Sequence, residues 1–314
     1  HDAPAIYSIM SIFELIEFDK IHSLRRLNGL PGHPDIETDG IITNTGSLGM
    51  GISKAKGFIQ SSRLEGINRN VFVLLGDGEL QEGQIWESLR SASNDRMGEL
   101  YIIVDNNKIQ SDNWVELTSP NDNLTRKFES FGCKVAEING HDFSEIQYTF
   151  ENLQHINDKP KVIIANTIKG NGVSFMQADS NIRESDYEYP YHSGALNNEE
   201  YFMALDELTI TLNSKLTDIG EKSISLKKHN KDMILNNNEM IGLIDYYSKI
   251  LLDHSHNDKM IVMDGDLMKD HGLTKFKKLY PSKFIECGIS EQDMVSQAGA
   301  FALENFIPIV HSFG

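Results

Sequence analysis

The sequence predicts an α/β protein with an open parallel sheet covered by helices on both faces, followed by a second α/β domain that is incomplete. Short apolar runs over residues 71–75, 100–104, 134–138 and 162–165 alternate with stretches of helical character. That alternation is the pattern of a parallel sheet with helical crossovers. It resumes after a polar stretch, with apolar runs at 260–263, 284–287 and 308–310. The chain then stops at Gly314, short of completing a second domain, so a truncated chain is expected.

The best-defined unit lies in the first domain. Val71-Phe72-Val73-Leu74-Leu75 is an apolar strand that runs into Gly76-Asp77-Gly78. Residues 81–97 place Ile85, Leu89 and Ala92 at helical spacing with Trp86 beside them, and Tyr101-Ile102-Ile103-Val104 then runs into Asp105-Asn106-Asn107. The unit reads strand, helix, strand. Ligands of open parallel sheets gather at the carboxyl ends of the strands. Asp77 and Asn107 both fall there, a carboxylate beside a carboxamide. Mg²⁺ takes about six oxygen ligands and is usually held by one or two protein oxygens together with phosphate oxygens and water. The pair therefore suits a diphosphate-bound magnesium ion. Gly76 and Gly78 let the backbone turn sharply and come close to a ligand. A plain tight turn would use Gly-Asp-Gly as well, and the tripeptide alone does not separate the two readings.

With 314 residues the chain is long enough for two domains. We expect a first domain over residues 1–214, a linker over 215–239 that is rich in Lys and Asn, and the start of a second domain over 240–314. Hydrophobic content of 39% with 24% charged residues is ordinary for a soluble globular protein. No apolar run reaches the roughly 18 residues of a membrane span, and no secretory leader pattern is visible. Cys133 and Cys287 form no disulfide framework, which fits a reducing cytoplasm. The chain begins at His1 rather than Met, so the missing leader carries little weight. A formal charge of −17 argues against nucleic acid or an anionic membrane as partner, since both demand a basic surface. It does not exclude an anionic cofactor, because a metal ion and a helix N-terminus hold a diphosphate locally.

The stretch from Gly76 to Glu87 (Gly-Asp-Gly-Glu-Leu-Gln-Glu-Gly-Gln-Ile-Trp-Glu), followed by Asp105-Asn106-Asn107-Lys108-Ile109-Gln110-Ser111-Asp112, closely resembles the thiamine diphosphate motif of transketolases. Further matches lie upstream, at Pro31-Gly32-His33-Pro34 and Thr45-Gly46-Ser47-Leu48-Gly49-Met50-Gly51. Others lie downstream, at Thr167-Ile168-Lys169-Gly170-Asn171-Gly172, around His192, and at Glu286-Cys287-Gly288-Ile289-Ser290-Glu291-Gln292. These signatures occur in the family's order and cover essentially the whole chain. The resemblance implies the thiamine diphosphate-binding fold, with the 240–314 segment opening the pyrimidine-binding domain. It also implies thiamine diphosphate and Mg²⁺ as cofactors and transfer of a two-carbon ketol unit from a ketose to an aldose. The expected partners are donor and acceptor sugars and a second copy of the chain.

Carried over residue by residue, the resemblance makes Asp77, Asn107 and the backbone carbonyl of Ile109 the metal ligands. Gly78 would pack against the diphosphate, and Gly46, Ser47 and Leu48 would line the cofactor. Glu291 takes the place of the glutamate that hydrogen-bonds the aminopyrimidine ring, a role that calls for a dry carboxyl able to share a proton. Without the resemblance, Glu291 is simply an acidic residue suited to a first helical turn. Glu82 resembles a glutamate in an acidic network between the two active sites of the family dimer. His1, His33 and His192 match histidines around the thiazolium and substrate, where an imidazole donates to a carbonyl or shuttles a proton. In the family the cofactor lies between the first domain of one protomer and the second domain of its partner. Glu291 would then act across a dimer interface.

The match weakens after Asp264-Gly265-Asp266-Leu267. The family usually has a Ser/Thr-rich stretch with an arginine for the sugar phosphate there, and this chain has Met268-Lys269-Asp270-His271-Gly272-Leu273-Thr274-Lys275. Lys269 and Lys275 offer charge without the planar fork of arginine. Asp293 also stands where a histidine is common. A specialised sugar substrate is one consequence. A thiamine enzyme resembling 1-deoxyxylulose-phosphate synthase and a non-catalytic thiamine diphosphate-binding scaffold remain alternatives. A phosphatase reading of the paired Asp264 and Asp266 lacks supporting motifs.

Overall fold

The computed structural model describes residues 2–111, 113–179, 188–193, 195–226 and 242–313. It divides into two compact units, 1–51 and 52–314.

The first unit is built on α1 (Ala3–Ile12), with a proline in its first turn where the missing N–H costs nothing. Ala3, Tyr7 and Met10 fall on one helical face and pack with Ile16 and Leu30. The Tyr7 hydroxyl donates to the Pro31 carbonyl at 2.9 Å. The rest of this unit is largely loop.

The second unit opens with α2 (Gly51–Leu64) and β1 (Val71–Gly76). It continues through α3 (Gly83–Asn94), β2 (Leu100–Asn106), α4 (Val115–Thr118) and α5 (Leu124–Ser130). Then come β3 (Lys134–Asn139), α6 (Phe143–Leu153), β4 (Lys161–Asn166) and α7 (Asn198–Asp218). The sheet is parallel in the order β1-β2-β4-β3. The chain steps in one direction from β1 to β3, then reverses to place β4 inside. With right-handed crossovers, the reversal sends α6 to the face opposite α3 and α5. The cores agree. Ile85 and Leu89 of α3 and Phe128 of α5 join α2 against Val73, Leu75, Ile102, Val104, Val162 and Ile164. On the other face, Ile146, Phe150 and Leu153 of α6 cover Tyr101, Ile138 and Ile163. That cover stops short of β1, where Phe72 and Leu74 remain 55% and 52% exposed.

A second parallel sheet follows α8 (Leu243–Asp253), in the order β6-β5-β7. Its strands are β5 (Met260–Asp264), β6 (Phe284–Glu286) and β7 (Ile307–His311). One face packs on α8 and α9 (Thr274–Leu279), the other on α10 (Glu291–Leu303). The expected strands and the α/β class are thus present, and the second sheet is small. Of the expected linker, Lys215 to Asp218 belong to α7, and residues 227–241 lie outside the described part. Among the described residues, no helix is long and apolar enough to cross a membrane.

Candidate functional site

β1 and β2 run in register with Gly76 opposite Asp105, so their carboxyl ends open at the same edge. Asp77, just beyond β1, is only 2% exposed. Its Oδ1 accepts the Gly78 N–H at 2.8 Å and its Oδ2 the Lys108 N–H at 2.5 Å. Its own carbonyl accepts from Asn121 Nδ2 at 2.7 Å. Lys108 sits in the left-handed region at φ 74°, a strained placement for a non-glycine residue that the bond to Asp77 helps to hold. Asn107 donates from Nδ2 to Asp105 Oδ2 at 3.1 Å, and its Oδ1 accepts the Ile109 N–H at 3.0 Å. The other Asp105 oxygen takes the Thr167 hydroxyl. Ile109 is buried and bridged to Trp114. Asp77, Asn107 and Ile109 therefore meet on one turn. Each oxygen of Asp77, and Oδ1 of Asn107, keeps lone-pair capacity beyond the bond it already accepts. Burial pushes the Asp77 carboxyl up to about 6, against the two backbone N–H bonds that pull it down. A divalent cation would reverse that penalty.

Beside this turn the backbone is crowded. A Cβ on Gly78 would come 2.6 Å from Gln110 Cβ and 3.4 Å from Ile289 Cδ1, so glycine is required for the close approach. Gln81 accepts the Ile289 N–H on Oε1 at 2.8 Å and donates from Nε2 to Gln110 Oε1 at 2.7 Å. The Ile289 N–H fixes which way round Gln81 lies, and Gln81 in turn fixes Gln110. Gln110 Nε2 is left buried with no acceptor in hydrogen-bond geometry, although it lies near enough to Asp266 to help stabilise that carboxylate. An orphaned donor next to a glycine cradle and a buried carboxylate fits an anionic group carrying a cation.

The same contact brings in the second sheet. Glu82, buried at the start of α3, lies close enough to Glu291, the first residue of α10, for the two carboxyls to act on each other. Burial and the neighbouring Glu291 raise the Glu82 pKa. One chain therefore carries Asp77, Glu82 and Glu291 in one neighbourhood. The Ser111 N–H donates to Asp266 Oδ2 at 3.1 Å, a second tie between the turn after β2 and the second sheet. Glu286 accepts from Asp266 N at 3.0 Å and Gly288 N at 3.1 Å. Burial, then the nearby Asp264, pushes Glu286 up to about 7.

These carboxyls make a stability prediction. A carboxyl whose folded pKa is raised binds extra protons in the folded state, and its stabilising contribution is lost as pH rises through that pKa. His33, His192 and His311 are shifted down, so they oppose this trend up to their ordinary value near 6.5 and fade above it. Between about pH 6.5 and 8 the raised carboxyls of Glu82 and Glu286 lose their folded-state protons, and stability should fall as the opposing histidine contribution fades. Denaturant midpoints across that range measure it. A flat or rising profile would show that the raised carboxyls do not dominate the pH dependence there.

His192 lies half-buried near the carboxyl-end loops, with its Nδ1 2.9 Å from Lys169 Nζ. Burial, then the Lys169 and Lys269 charges, bring its pKa down to about 4. In the first unit, His33 lies against Gly46, where a Cβ would meet His33 Cγ at 3.2 Å and φ is 112°. Thr45 joins the two motifs by donating its N–H and hydroxyl to the Pro34 carbonyl at 3.0 and 2.8 Å. Ser47 and Leu48 follow on the same loop. His1 lies outside the described residues. The structure thus assembles Asp77, Gly78, Asn107, Ile109, Glu82 and Glu291 in the second unit, with His192 on Lys169 beside them. It assembles His33 with Gly46 in the first. Sequence reasoning passed over Asp105, Gln81, Gln110 and Lys169. All four stand inside the sequence motifs, but each has a partner remote in sequence.

An α/β sheet whose strand ends gather a buried aspartate, an asparagine and a glycine cradle defines a cofactor-binding domain of the diphosphate type. The family model "Transketolase, thiamine diphosphate binding domain" matches residues 1–187, and the chain belongs to the transketolase family. It is 38% identical over 180 residues to an apulose-4-phosphate transketolase subunit from Actinobacillus succinogenes, covering 57% of this chain and 62% of that protein. It is 29% identical over 325 residues to human transketolase, covering 100% of this chain and 50% of that protein. The chain thus spans about half the length of the human relative. The solved transketolase from Leishmania mexicana matches with a TM-score of 0.50 at 20% identity, over 97% of this chain and 53% of that one, and shows the shared fold.

Proposed function

We propose that this chain carries the cofactor site of an enzyme that moves a two-carbon ketol unit from a ketose to an aldose, using thiamine diphosphate and Mg²⁺. The observation that supports it most is the meeting of buried Asp77, Asn107 and the Ile109 backbone beside Gly78, with Gln110 Nε2 lacking an acceptor. When bound, thiamine diphosphate supplies the electron sink that the two-carbon fragment needs.

Asp77, Asn107 Oδ1 and the Ile109 carbonyl would hold the metal. Gly78 would admit the diphosphate, and Gly46, Ser47 and Leu48 would line the cofactor. Glu291 would hold a proton at its carboxyl for the aminopyrimidine ring. Glu82, shifted toward its protonated form, would keep one proton shared between the pair. His192, His33 and His1 would surround the reacting carbonyl. The apulose-4-phosphate relative and the departures at Met268 to Lys275 support a specialised sugar phosphate rather than a common pentose phosphate.

We further propose a homodimer in a reducing cytoplasm, with domains over 1–214 and 240–314 joined by 215–239. The Ile289 contact made here within one chain is one that two copies could exchange.

The test is ketol transfer from a panel of ketose phosphates to aldoses, with thiamine diphosphate and Mg²⁺ present and each omitted in turn. Transfer that needs both supports the reading. Pyruvate decarboxylation without ketol transfer would move the chain to the deoxyxylulose-phosphate type. Cofactor binding with neither reaction would make it a scaffold.

A further inference from the structure

We propose that Lys169 is a positioning residue that fixes His192 as the neutral imidazole with its proton on Nε2, and so makes it a hydrogen-bond donor rather than a proton acceptor. The role of that donor in ketol transfer rests on the function proposed above; the tautomer does not.

A lysine ammonium has three N–H donors and no acceptor. Lys169 Nζ lies 2.9 Å from His192 Nδ1, and it lies 2.5 Å from the Gln110 carbonyl and 3.3 Å from the Ser111 carbonyl. Three acceptors thus face the ammonium, and toward each of them it can only donate. The Tyr189 ring, 4.9 Å away, adds an aromatic face that favours the charged form. With Nδ1 accepting, a neutral ring must carry its proton on Nε2.

The lysine is itself held. Gly170 has φ 79°, and a Cβ there would meet the Met176 carbonyl oxygen at 2.0 Å, so only glycine completes the turn that aims Lys169. Tyr189 is pinned by its hydroxyl donating to the same carbonyl at 2.7 Å. Among the described side chains, the charged groups that lower the His192 pKa are Lys169 and Lys269. Asp270 is tied to the adjacent Ser193 hydroxyl at 3.4 Å. Cations and burial both disfavour a second proton on the ring.

A histidine at position 192 can either donate a hydrogen bond or shuttle a proton. The geometry selects donation. An oxygen that gains negative charge next to His192 would meet an Nε2–H whose presence does not vary near neutral pH.

The experiment is two-bond ¹H–¹⁵N spectroscopy of the chain labelled at histidine, with His192→Gln used for assignment. The wild-type spectrum should show His192 protonated on Nε2 alone and unchanged between about pH 5 and 8. Lys169→Met should populate both tautomers and move the titration up from about 4 toward the ordinary histidine range, and Lys169→Arg should restore the wild-type pattern. A wild-type proton on Nδ1, or a Lys169→Met spectrum identical to wild type, would overturn the proposal. Should Lys169→Met not fold, the wild-type tautomer still decides. The spectra need no cofactor, so absent ketol transfer with the expected tautomer would sink the proposed function alone. In an active enzyme, Lys169→Met should lower kcat more than it raises KM and add an acidic limb to the pH profile.

Discussion

Asp77→Ala is expected to abolish magnesium-dependent binding of thiamine diphosphate, with a loss well beyond 100-fold in affinity. Residues that merely orient a metal ligand are worth about 10–100-fold, and Asp77 is proposed as a ligand itself. Its carboxylate is also the acceptor for the Gly78 and Lys108 N–H groups, so the turn loses its organising anion at the same time. Each N–H left unsatisfied costs about 1–3 kcal/mol. Thermal unfolding of the variant must therefore accompany the titration. Calorimetry of thiamine diphosphate with and without Mg²⁺ reads the effect directly. Retained magnesium-dependent binding in a folded variant would remove Asp77 from the site and the proposed function with it.

Glu291→Gln is expected to lower kcat by about 10²–10⁴, the usual contribution of a positioned proton-transfer group, while cofactor affinity changes far less. Glutamine keeps the size of the side chain and can still pair with Glu82, so α10 should dock as before. What it cannot do is hold or release the carboxyl proton. Single-turnover and steady-state rates, set beside calorimetric affinity, separate the two effects. Wild-type kcat in Glu291→Gln would show that the carboxyl takes no part in the chemistry. An equal loss of affinity would mean instead that Glu291 only supports the fold around Gly78.

Asp77 and Asn107 were legible in the sequence because each follows an apolar strand directly, and strand ends of a parallel sheet share one edge. The helix between them was legible from Ile85, Leu89 and Ala92, all buried in the main core. Its ends were less so. Residues 81–97 shorten to Gly83–Asn94 because Glu79–Gln81 form a 3₁₀ turn and Arg96 takes a left-handed φ of 47°, which lets the Met97 N–H return to the Ala92 carbonyl. The expected strand over 284–287 ends at Glu286, since Gly288 at φ 69° turns the chain toward α10. Pro308 did not prevent β7 because that strand lies at a sheet edge, where its missing donor costs no ladder bond. The supporting contacts were invisible for another reason. Gln81 meets Ile289 across 208 positions, and Lys169 meets Gln110 across 59. No local period encodes such pairs, and each becomes apparent only when both loops are in place.

The run of amides from Ile289 through Gln81 to Gln110 has a direction. Every bond in it donates the same way, so polarity passes along it and ends at the buried Gln110 Nε2, beside the Asp266 carboxylate. A chain with a net charge of −17 would be expected to turn anions away. At the proposed site the preference would be vectorial instead: it would depend on which end of an amide faces the ligand, not on how many positive residues stand nearby. Surface mutations that alter the overall charge should therefore leave this preference almost untouched, whereas reversing one carboxamide would invert it.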